Sequence, residues 1–222
     1  LAPADQQTRI LDAGCGSGAM CTRLHASLLG DKWIEGLSPD LYQQEVFERQ
    51  GPVPFHLARF QDFEPTERYH IILMSESCQY VPLDEVFPAA MRNLKPGGRL
   101  LICDYFTFDH ASGPQASSGH RLHAFRRAAE ASGFVVRDEI DLTPRVLPTL
   151  DLARDFIERF ILPSAVLLTE KMAQRRPLLF RLGRFLLRRE MDKAKLNMDL
   201  LDSEQFARDK CYLYLDLELG ST

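Results

Sequence analysis

Three glycines spaced two apart, directly after a short apolar run, constrain this chain more than any other feature. The run Arg9–Ala13 is typical of a buried strand; Gly14, Gly16 and Gly18 follow it, and helical periodicity covers Ser17–Leu29. Glycine permits positive φ and lets the backbone pass close to a ligand. Strand, glycine loop and helix in this order predict a ligand site at the carboxyl ends of the strands of an open α/β sheet. A tight glycine turn without a ligand is the alternative.

The spacing of these glycines also indicates the kind of ligand. A dinucleotide site favours Gly-x-Gly-x-x-Gly, which places a pyrophosphate on the helix N-terminus. Here the spacing is Gly-x-Gly-x-Gly, and Asp12 stands two residues before the first glycine. A carboxylate at this place suits a cationic ligand with an amino-acid tail better than a pyrophosphate.

Strand and helix patterns alternate over residues 1–142, which predicts crossover units and a mostly parallel sheet with helices on both faces. Residues 143–209 carry helical periodicity, and the alternation over residues 210–219 indicates a last strand that returns antiparallel. We therefore expect a single domain over residues 1–222, in which 143–209 is a helical cap inserted between the last two strands. The predicted strands are Arg9–Ala13, Lys32–Leu37, Val53–Leu57, Tyr69–Met74, Arg99–Phe106, Phe134–Leu142 and Lys210–Leu219.

Charge and cysteine usage bound the function classes. The net charge of -4 gives no overall attraction to nucleic acid. The five cysteines are scattered, which suggests neither a zinc site nor a disulfide framework, and reduced thiols predict a cytoplasmic protein. The sequence starts without methionine, so we expect a piece of a longer protein.

Two motifs together identify a family. The stretch Ile10–Gly18 resembles motif I of the class I S-adenosylmethionine-dependent methyltransferases. The turn Leu94–Leu100, which contains Lys-Pro-Gly-Gly, resembles the segment before the fifth strand of that family. The resemblance covers roughly residues 8–142, and it implies a Rossmann-like sheet of seven strands and S-adenosylmethionine as cofactor. It also implies that the methionine end of the cofactor is lined by Asp12, Gly14, Cys15 and Gly16.

The chain departs from the family pattern at two places. Ser38 stands where an acid usually binds the ribose hydroxyls, although the segment keeps the spacing of the cyclopropane fatty acid synthase and tocopherol methyltransferase branch. The resemblance to that branch makes Ser38 and Gln43 the ribose-side candidates. Arg59 stands where an acid often lies near the adenine; Phe60 is expected to pack on the adenine face, and Asp62 is the alternative contact.

The loop after the fourth strand is expected to face the transferring methyl group. Ser75 is counted with the cofactor contacts. Glu76 resembles a glutamate of sterol and tocopherol methyltransferases that would position the acceptor, take its proton or stabilise developing positive charge. Asp104, Tyr105 and His120 lie on the same rim and are further catalytic candidates, with His110 and His123 as weaker ones. A helix cap, a solvated carboxylate or a surface histidine is the structural alternative for each.

These features predict methyl transfer to a small, apolar organic acceptor. C-methylation of a terpenoid, lipid-like or aromatic compound is favoured, because of the similarity around Glu76 and the apolar composition of residues 143–209. O- or N-methylation is the alternative. A nucleic-acid methyltransferase and a non-catalytic binding protein are weaker hypotheses, and the sequence leaves the oligomeric state open.

One segment predicts a second kind of contact. Between Lys171 and Arg189 there are seven basic residues and no acid, interleaved with Leu and Phe. This pattern resembles an amphipathic helix that lies on a membrane surface. A solvated helix face, or contact with acidic parts of the same protein, is the alternative.

Overall fold

The computed structural model describes residues 8–27, 32–164, 167, 171 and 200–220. Strands and helices alternate through the first part of the chain, as predicted. The strands are β1 Thr8–Ala13, β2 Lys32–Ser38, β3 Phe55–Leu57, β4 Tyr69–Ser75, β5 Leu94–Thr107, β6 His120–Arg121, β7 Phe134–Asp141 and β8 Lys210–Leu219. The helices are α1 Ala19–Ser27, α2 Leu41–Glu48, α3 Leu83–Asn93, α4 Leu122–Ala131, α5 Thr143–Phe156 and α6 Ser203–Asp209.

One sheet organises the strands in the order β3-β2-β1-β4-β5-β8-β7, and the two-residue β6 pairs with β5 outside this path. The pairs β3–β2, β2–β1, β1–β4, β4–β5 and β5–β6 are parallel, whereas β8 runs antiparallel to β7. The predicted Rossmann-like α/β sheet with an antiparallel last strand is therefore confirmed. Since the chain leaves β1 towards β2 on one side while β4 lies on the other, the carboxyl end of β1 is the topological switch point.

The hydrophobic core is formed by the central strands, because both faces of these strands are buried. Leu11 of β1, Ile72 of β4 and Leu100 of β5 have no exposed surface. On one helical layer, Phe87 of α3 and Phe125 of α4 are buried against each other, with ring centroids 5.0 Å apart. Phe125 also packs on Phe106 of β5, with ring centroids 4.9 Å apart, so this helical layer contacts the sheet directly.

The described chain divides into two compact units. The first contains residues 1–109, 118–141 and 212–222 and holds the sheet, and the second contains residues 110–117 and 142–211. Within the second unit Arg154 of α5 bonds Asp202 across 3.3 Å, and Asp202 caps α6 by accepting from the backbone N–H of Gln205 at 2.9 Å. The predicted helical insertion between the last two strands is confirmed by α5 and α6. The basic segment 171–189 lies outside the described residues except for Lys171.

Several predicted boundaries differ from those of the structure, and two of them differ because of strand pairing. The sequence of His120–Ser132 predicts a helix, but the helix starts at Leu122, because His120 and Arg121 pair with the end of β5 as β6. The predicted strand Arg99–Phe106 extends back to Leu94, because Leu94 pairs with Tyr69 before a register shift. The Lys-Pro-Gly-Gly turn therefore interrupts β5 as a bulge and does not precede the strand.

Candidate active site

A cavity of about 680 Å³ opens at the carboxyl ends of β1, β2 and β4. This is the position that the switch point predicts for a ligand, and the volume lies within the range of roughly 300–1,000 Å³ that small-molecule pockets have. The ends of β1, β2 and β4 and the loops that follow β1, β2, β3 and β4 surround it. Its lining is Ala13, Gly14, Leu37, Ser38, Pro39, Asp40, Gln43, Ala58, Arg59, Phe60, Gln61, Met74, Glu76, Ser77, Tyr80, Val81 and Pro82.

The glycine loop is built for close backbone contact. Gly14 has a φ of +88° and Gly16 a φ of +56°, conformations that L side chains rarely adopt. A Cβ atom on Gly14 would meet Ser77, whereas a Cβ atom on Gly16 would meet nothing within 4 Å. The backbone N–H groups of Gly14 and Cys15 both donate to the carbonyl of Leu37, at 2.8 and 3.2 Å. The loop is thus fixed to the end of β2.

Asp12 lies beneath this loop and is almost fully buried. Its Oδ2 accepts from the Cys21 thiol at 3.1 Å, and its Oδ1 has no partner among the described residues. Burial raises the pKa of Asp12 to about 6. An orphaned carboxylate oxygen at the base of the glycine loop fits a ligand that brings a positive group or a hydrogen-bond donor, which is the chemistry of an amino-acid tail.

The ribose-side candidates are in contact with each other. The hydroxyl of Ser38 donates to Oε1 of Gln43 at 2.6 Å and accepts from the backbone N–H of Asp40 at 3.3 Å. Asp40 itself caps α2 and thereby holds the first turn, which carries Gln43. With its Oε1 engaged by Ser38, Gln43 keeps its amide N–H groups for a ligand hydroxyl in the cavity.

The adenine-side candidates also reach the cavity. Phe60 begins a short 3-10 helix, Phe60–Asp62, and is buried while lining the pocket together with Arg59. Gln61, which the sequence analysis does not single out, lines it as well, whereas Asp62 does not. An aromatic ring beside polar groups is a suitable surface for a heteroaromatic base.

Glu76 is the polar group on the acceptor side of the cavity. Its φ of +54° is the one left-handed conformation of a non-glycine residue among the described residues. The N–H of Glu76 donates to the carbonyl of Cys103 at 2.9 Å, and the hydroxyl of Tyr212 donates to its Oε1 at 2.9 Å. Backbone strain of this kind accumulates at functional sites. The neighbouring lining is mainly apolar or aromatic: Met74, Tyr80, Val81 and Pro82.

Asp104 and Tyr105 support this side from outside the lining. Asp104 is buried and accepts from the backbone N–H groups of Gln79 at 3.1 Å and of Tyr105 at 2.9 Å. Burial raises the pKa of Asp104 to about 6. The Tyr105 hydroxyl donates to the Gln79 side chain. Both residues therefore hold the turn Cys78–Tyr80, which places Tyr80 at the cavity.

The three histidine candidates lie apart from the cavity lining. Nε2 of His120 donates to the carbonyl of Cys78 at 2.9 Å, and its ring stacks on Phe125. Burial lowers the pKa of His120, which favours the neutral form of the ring. His110 bonds to a carbonyl within the second unit, and His123 is an exposed residue near Asp109. These contacts are structural.

The structure thus brings together one group of the predicted residues and keeps a second group behind the loops. Gly14, Ser38, Gln43, Arg59, Phe60 and Glu76 line the cavity. The second group contributes backbone or support and not lining surface: Asp12, Cys15, Gly16, Ser75, Asp104, Tyr105 and His120. Sequence reasoning missed Ser77 and Tyr212; Ser77 stands beside Glu76 in the same loop, but Tyr212 lies 136 residues away and gives no local signal.

Residues 1–141 match the model of a family described as a methyltransferase domain. The chain belongs to this family. The predicted class I S-adenosylmethionine-dependent methyltransferase is confirmed at this level, as an enzyme class, with the fold and the cofactor that it implies. A search of curated protein sequences finds no significant match for the methyltransferase.

Solved structures support the same fold. A geranyl diphosphate methyltransferase in complex with S-adenosylmethionine matches the chain with a TM-score of 0.69 at 19% identity, covering 98% of this chain and 80% of that one. A geranyl diphosphate C-methyltransferase from Streptomyces coelicolor A3(2) matches with a TM-score of 0.67 at 17% identity, covering 95% and 70%. The [4+2]-cyclase SpnF matches with a TM-score of 0.68 at 18% identity, covering 99% and 77%. The last match shows that this fold also carries other chemistry.

Proposed function

We propose that this methyltransferase transfers a methyl group from S-adenosylmethionine to a small, apolar organic acceptor, and that the methylated atom is a carbon of a terpenoid, lipid-like or aromatic compound. The observation that carries the proposal is that Glu76 lines the same cavity as Gly14, Ser38 and Phe60. One continuous space therefore joins a cofactor-type surface to a carboxylate set among Met74 and other apolar side chains.

The residues on the cofactor side fit this ligand. The backbone of the loop at Gly14 and the orphaned Oδ1 of Asp12 suit the amino-acid tail. The amide of Gln43, oriented by Ser38, suits the ribose hydroxyls, and Phe60 suits the adenine face. When bound, S-adenosylmethionine supplies a methyl group that is already strongly electrophilic, so the protein has to align the acceptor and exclude water.

The residues on the acceptor side suit an acceptor that is apolar and loses a proton during the reaction. An acceptor carbon that gains a methyl group has to give up a proton, and a carboxylate within reach is a suitable base. Glu76 is held in a strained backbone conformation, and it is the carboxylate of the lining that stands beside Met74, Tyr80 and Val81. Apolar and aromatic neighbours favour an acceptor without charge at the reacting end.

O- or N-methylation is the alternative reaction. A hydroxyl or amine acceptor also loses a proton, so Glu76 would serve there as well. The match to geranyl diphosphate methyltransferases is the observation that favours a terpenoid carbon, since it concerns proteins of the same fold whose names state that substrate. Binding to nucleic acid has no such support.

The experiment is a methyl-transfer screen with isotope-labelled S-adenosylmethionine. Acceptors of four classes are compared: prenyl diphosphates and alcohols, long-chain lipids, phenols, and amines. Labelled, extractable product from one class, whose ¹³C methyl signal shows that the methyl group is bonded to carbon, supports the proposal. Glu76→Gln is expected to reduce turnover roughly 10²-fold or more with unchanged cofactor binding. Cofactor binding without transfer to any acceptor would point to another reaction in this fold.

Two further properties of the protein are proposals: a membrane contact and a cytoplasmic location. The basic segment 171–189 is proposed to lie on anionic membrane surfaces, and the described residues contain no helix that is long and apolar enough to cross a bilayer. Co-sedimentation with anionic vesicles that is reversed by salt would support this contact. The five free cysteines support a proposed cytoplasmic location.

A further inference from the structure

Glu76 is held at two points, its backbone and its side-chain carboxylate. Its backbone is left-handed, with a φ of +54°, and its N–H donates to the carbonyl of Cys103 in β5 at 2.9 Å. Its Oε1 accepts from the hydroxyl of Tyr212 in β8 at 2.9 Å. A glutamate side chain on a loop has several accessible rotamers, so a donor on a neighbouring strand restricts where the carboxylate lies.

Tyr212 is well suited to this role. It lies near the start of β8, the strand that the sheet places beside β5, and its ring is partly buried. The sulfur of Cys103 lies 3.8 Å from its hydroxyl oxygen. Burial, and then the hydrogen bond to Glu76, raise the pKa of Tyr212 well above its ordinary value. The phenol therefore keeps its proton at neutral pH and acts as a donor.

We propose that Tyr212 is a positioning residue that holds the Glu76 carboxylate in the geometry that an acceptor needs, with Oε1 engaged and Oε2 left for the proton. The inference rests on the proposed function. It assigns a role in the reaction to the last strand, far from every motif that identifies the family.

S-adenosylmethionine, held by the loop at Gly14 and by Gln43, would supply the methyl group and keep the electron pair of the broken methyl–sulfur bond, and the acceptor would supply the electron pair of the new bond. The proton that the acceptor loses goes to Glu76. Tyr212 transfers nothing; its hydrogen bond orients the carboxylate and neutralises part of its charge.

A spectroscopic experiment tests the contact without any substrate. Tyrosine is labelled with ¹³C at Cζ, and the Tyr212 signal is assigned by its loss in Tyr212→Phe. Glu76→Gln is expected to change the Cζ shift of Tyr212 at neutral pH and to let the phenol ionise at lower pH. The matched control is Tyr214, two residues along the same strand, whose signal should not respond. A Tyr212 signal that is the same in both proteins would overturn the inference.

A kinetic experiment tests the role. Tyr212→Phe is expected to lower kcat roughly tenfold, the size of losing one hydrogen bond to a charged group, while the dissociation constant of S-adenosylmethionine is unchanged. Because Tyr212 acts through Glu76, the double variant with Glu76→Gln should be no slower than Glu76→Gln alone. Multiplicative losses, or an equal loss in Tyr214→Phe, would contradict the role. The spectroscopic result depends on the fold alone, so it separates failure of this inference from failure of the proposed function.

Discussion

Gly14 and Ser77 approach each other so closely that a Cβ atom on Gly14 would lie 2.2 Å from the Cβ of Ser77. Ser77 also donates from its hydroxyl to the carbonyl of Ala13 at 2.5 Å. The first glycine of the motif is therefore required by the packing of the loop after β1 against the loop after β4. A Cβ atom on Gly16, two residues later, would meet nothing within 4 Å. Only the positive φ of Gly16 therefore disfavours a side chain at that position.

Replacing these two glycines by alanine should have unequal effects on stability. Gly16→Ala should cost about 1–2 kcal/mol of unfolding free energy, the cost of a left-handed alanine. Gly14→Ala adds the collision with Ser77, which brings a further loss of about 1–3 kcal/mol. Denaturant unfolding of both variants measures this difference. Combining Gly14→Ala with Ser77→Gly should destabilise by less than the sum of the single changes, and simple additivity would show that the contact is absent.

Gln43 should contribute to cofactor affinity through its side chain. Gln43→Ala removes the amide that lines the cavity and leaves the Ser38 hydroxyl without its acceptor. We expect S-adenosylhomocysteine binding to weaken about fivefold or more, since a neutral hydrogen bond is worth about 1 kcal/mol. Gln44→Ala is the control, because Gln44 bonds to Glu48 on the same helix and is outside the cavity lining. Equal effects of the two changes would argue against a ribose-side role.

Asp12 should make the stability of the ligand-free protein fall as pH rises from about 4 to 6. Burial raises its pKa in the folded protein to about 6 from 3.8, so between these values the folded state binds more protons than the unfolded state. Each pKa unit corresponds to about 1.4 kcal/mol, which sets an effect of a few kcal/mol. Asp12→Asn removes this dependence, and Asp104, whose pKa is raised in the same direction, is common to both proteins. Unfolding free energies of wild type and variant that run parallel across this range would contradict the assignment.

The strained backbone of Glu76 should reverse the usual order of glycine and alanine. In a regular helix or strand, a protein with glycine is less stable than one with alanine. At a φ of +54° the order is reversed, because the left-handed conformation is unfavourable for alanine and not for glycine. The free energy of unfolding of Glu76→Gly should therefore be about 1 kcal/mol larger than that of Glu76→Ala. Both variants should lack activity. Paired thermal and denaturant unfolding of the two variants provides the measurement. An alanine variant that is the more stable would show that Glu76 is unstrained.

The sequence predicts the sheet well because its signals are local. The apolar run of β4 and the period-two pattern of β8 each report burial of their own residues. The boundary at His120 is wrong because pairing with β5 is a tertiary contact that overrides helical periodicity. The bulge in β5 follows from pairing of Leu94 with Tyr69, which a turn signal alone does not reveal.

The sequence predicts those residues of the site that belong to contiguous motifs, and it does not predict the roles that depend on tertiary contacts. Gly14, Ser38 and Glu76 follow strands and are predicted from position in the sequence. The role of Asp104 as a support for a turn, and of His120 as a donor to a carbonyl, depends on side-chain orientation, which spacing does not determine. The sequence does not predict the role of Tyr212, because only folding brings β8 beside the loop after β4.

Isothermal titration with S-adenosylmethionine and S-adenosylhomocysteine, in wild type and in Gly16→Ala, tests whether the glycine loop binds the cofactor. Both ligands are expected to bind the wild type with dissociation constants on the order of micromolar. Gly16→Ala, folded by circular dichroism, is expected to lose most of this affinity, because alanine disfavours the left-handed φ of +56° and the loop that follows the cavity-lining Gly14 would change its conformation. Absence of binding to a folded wild-type protein, or full affinity in the variant, would contradict cofactor binding at this loop.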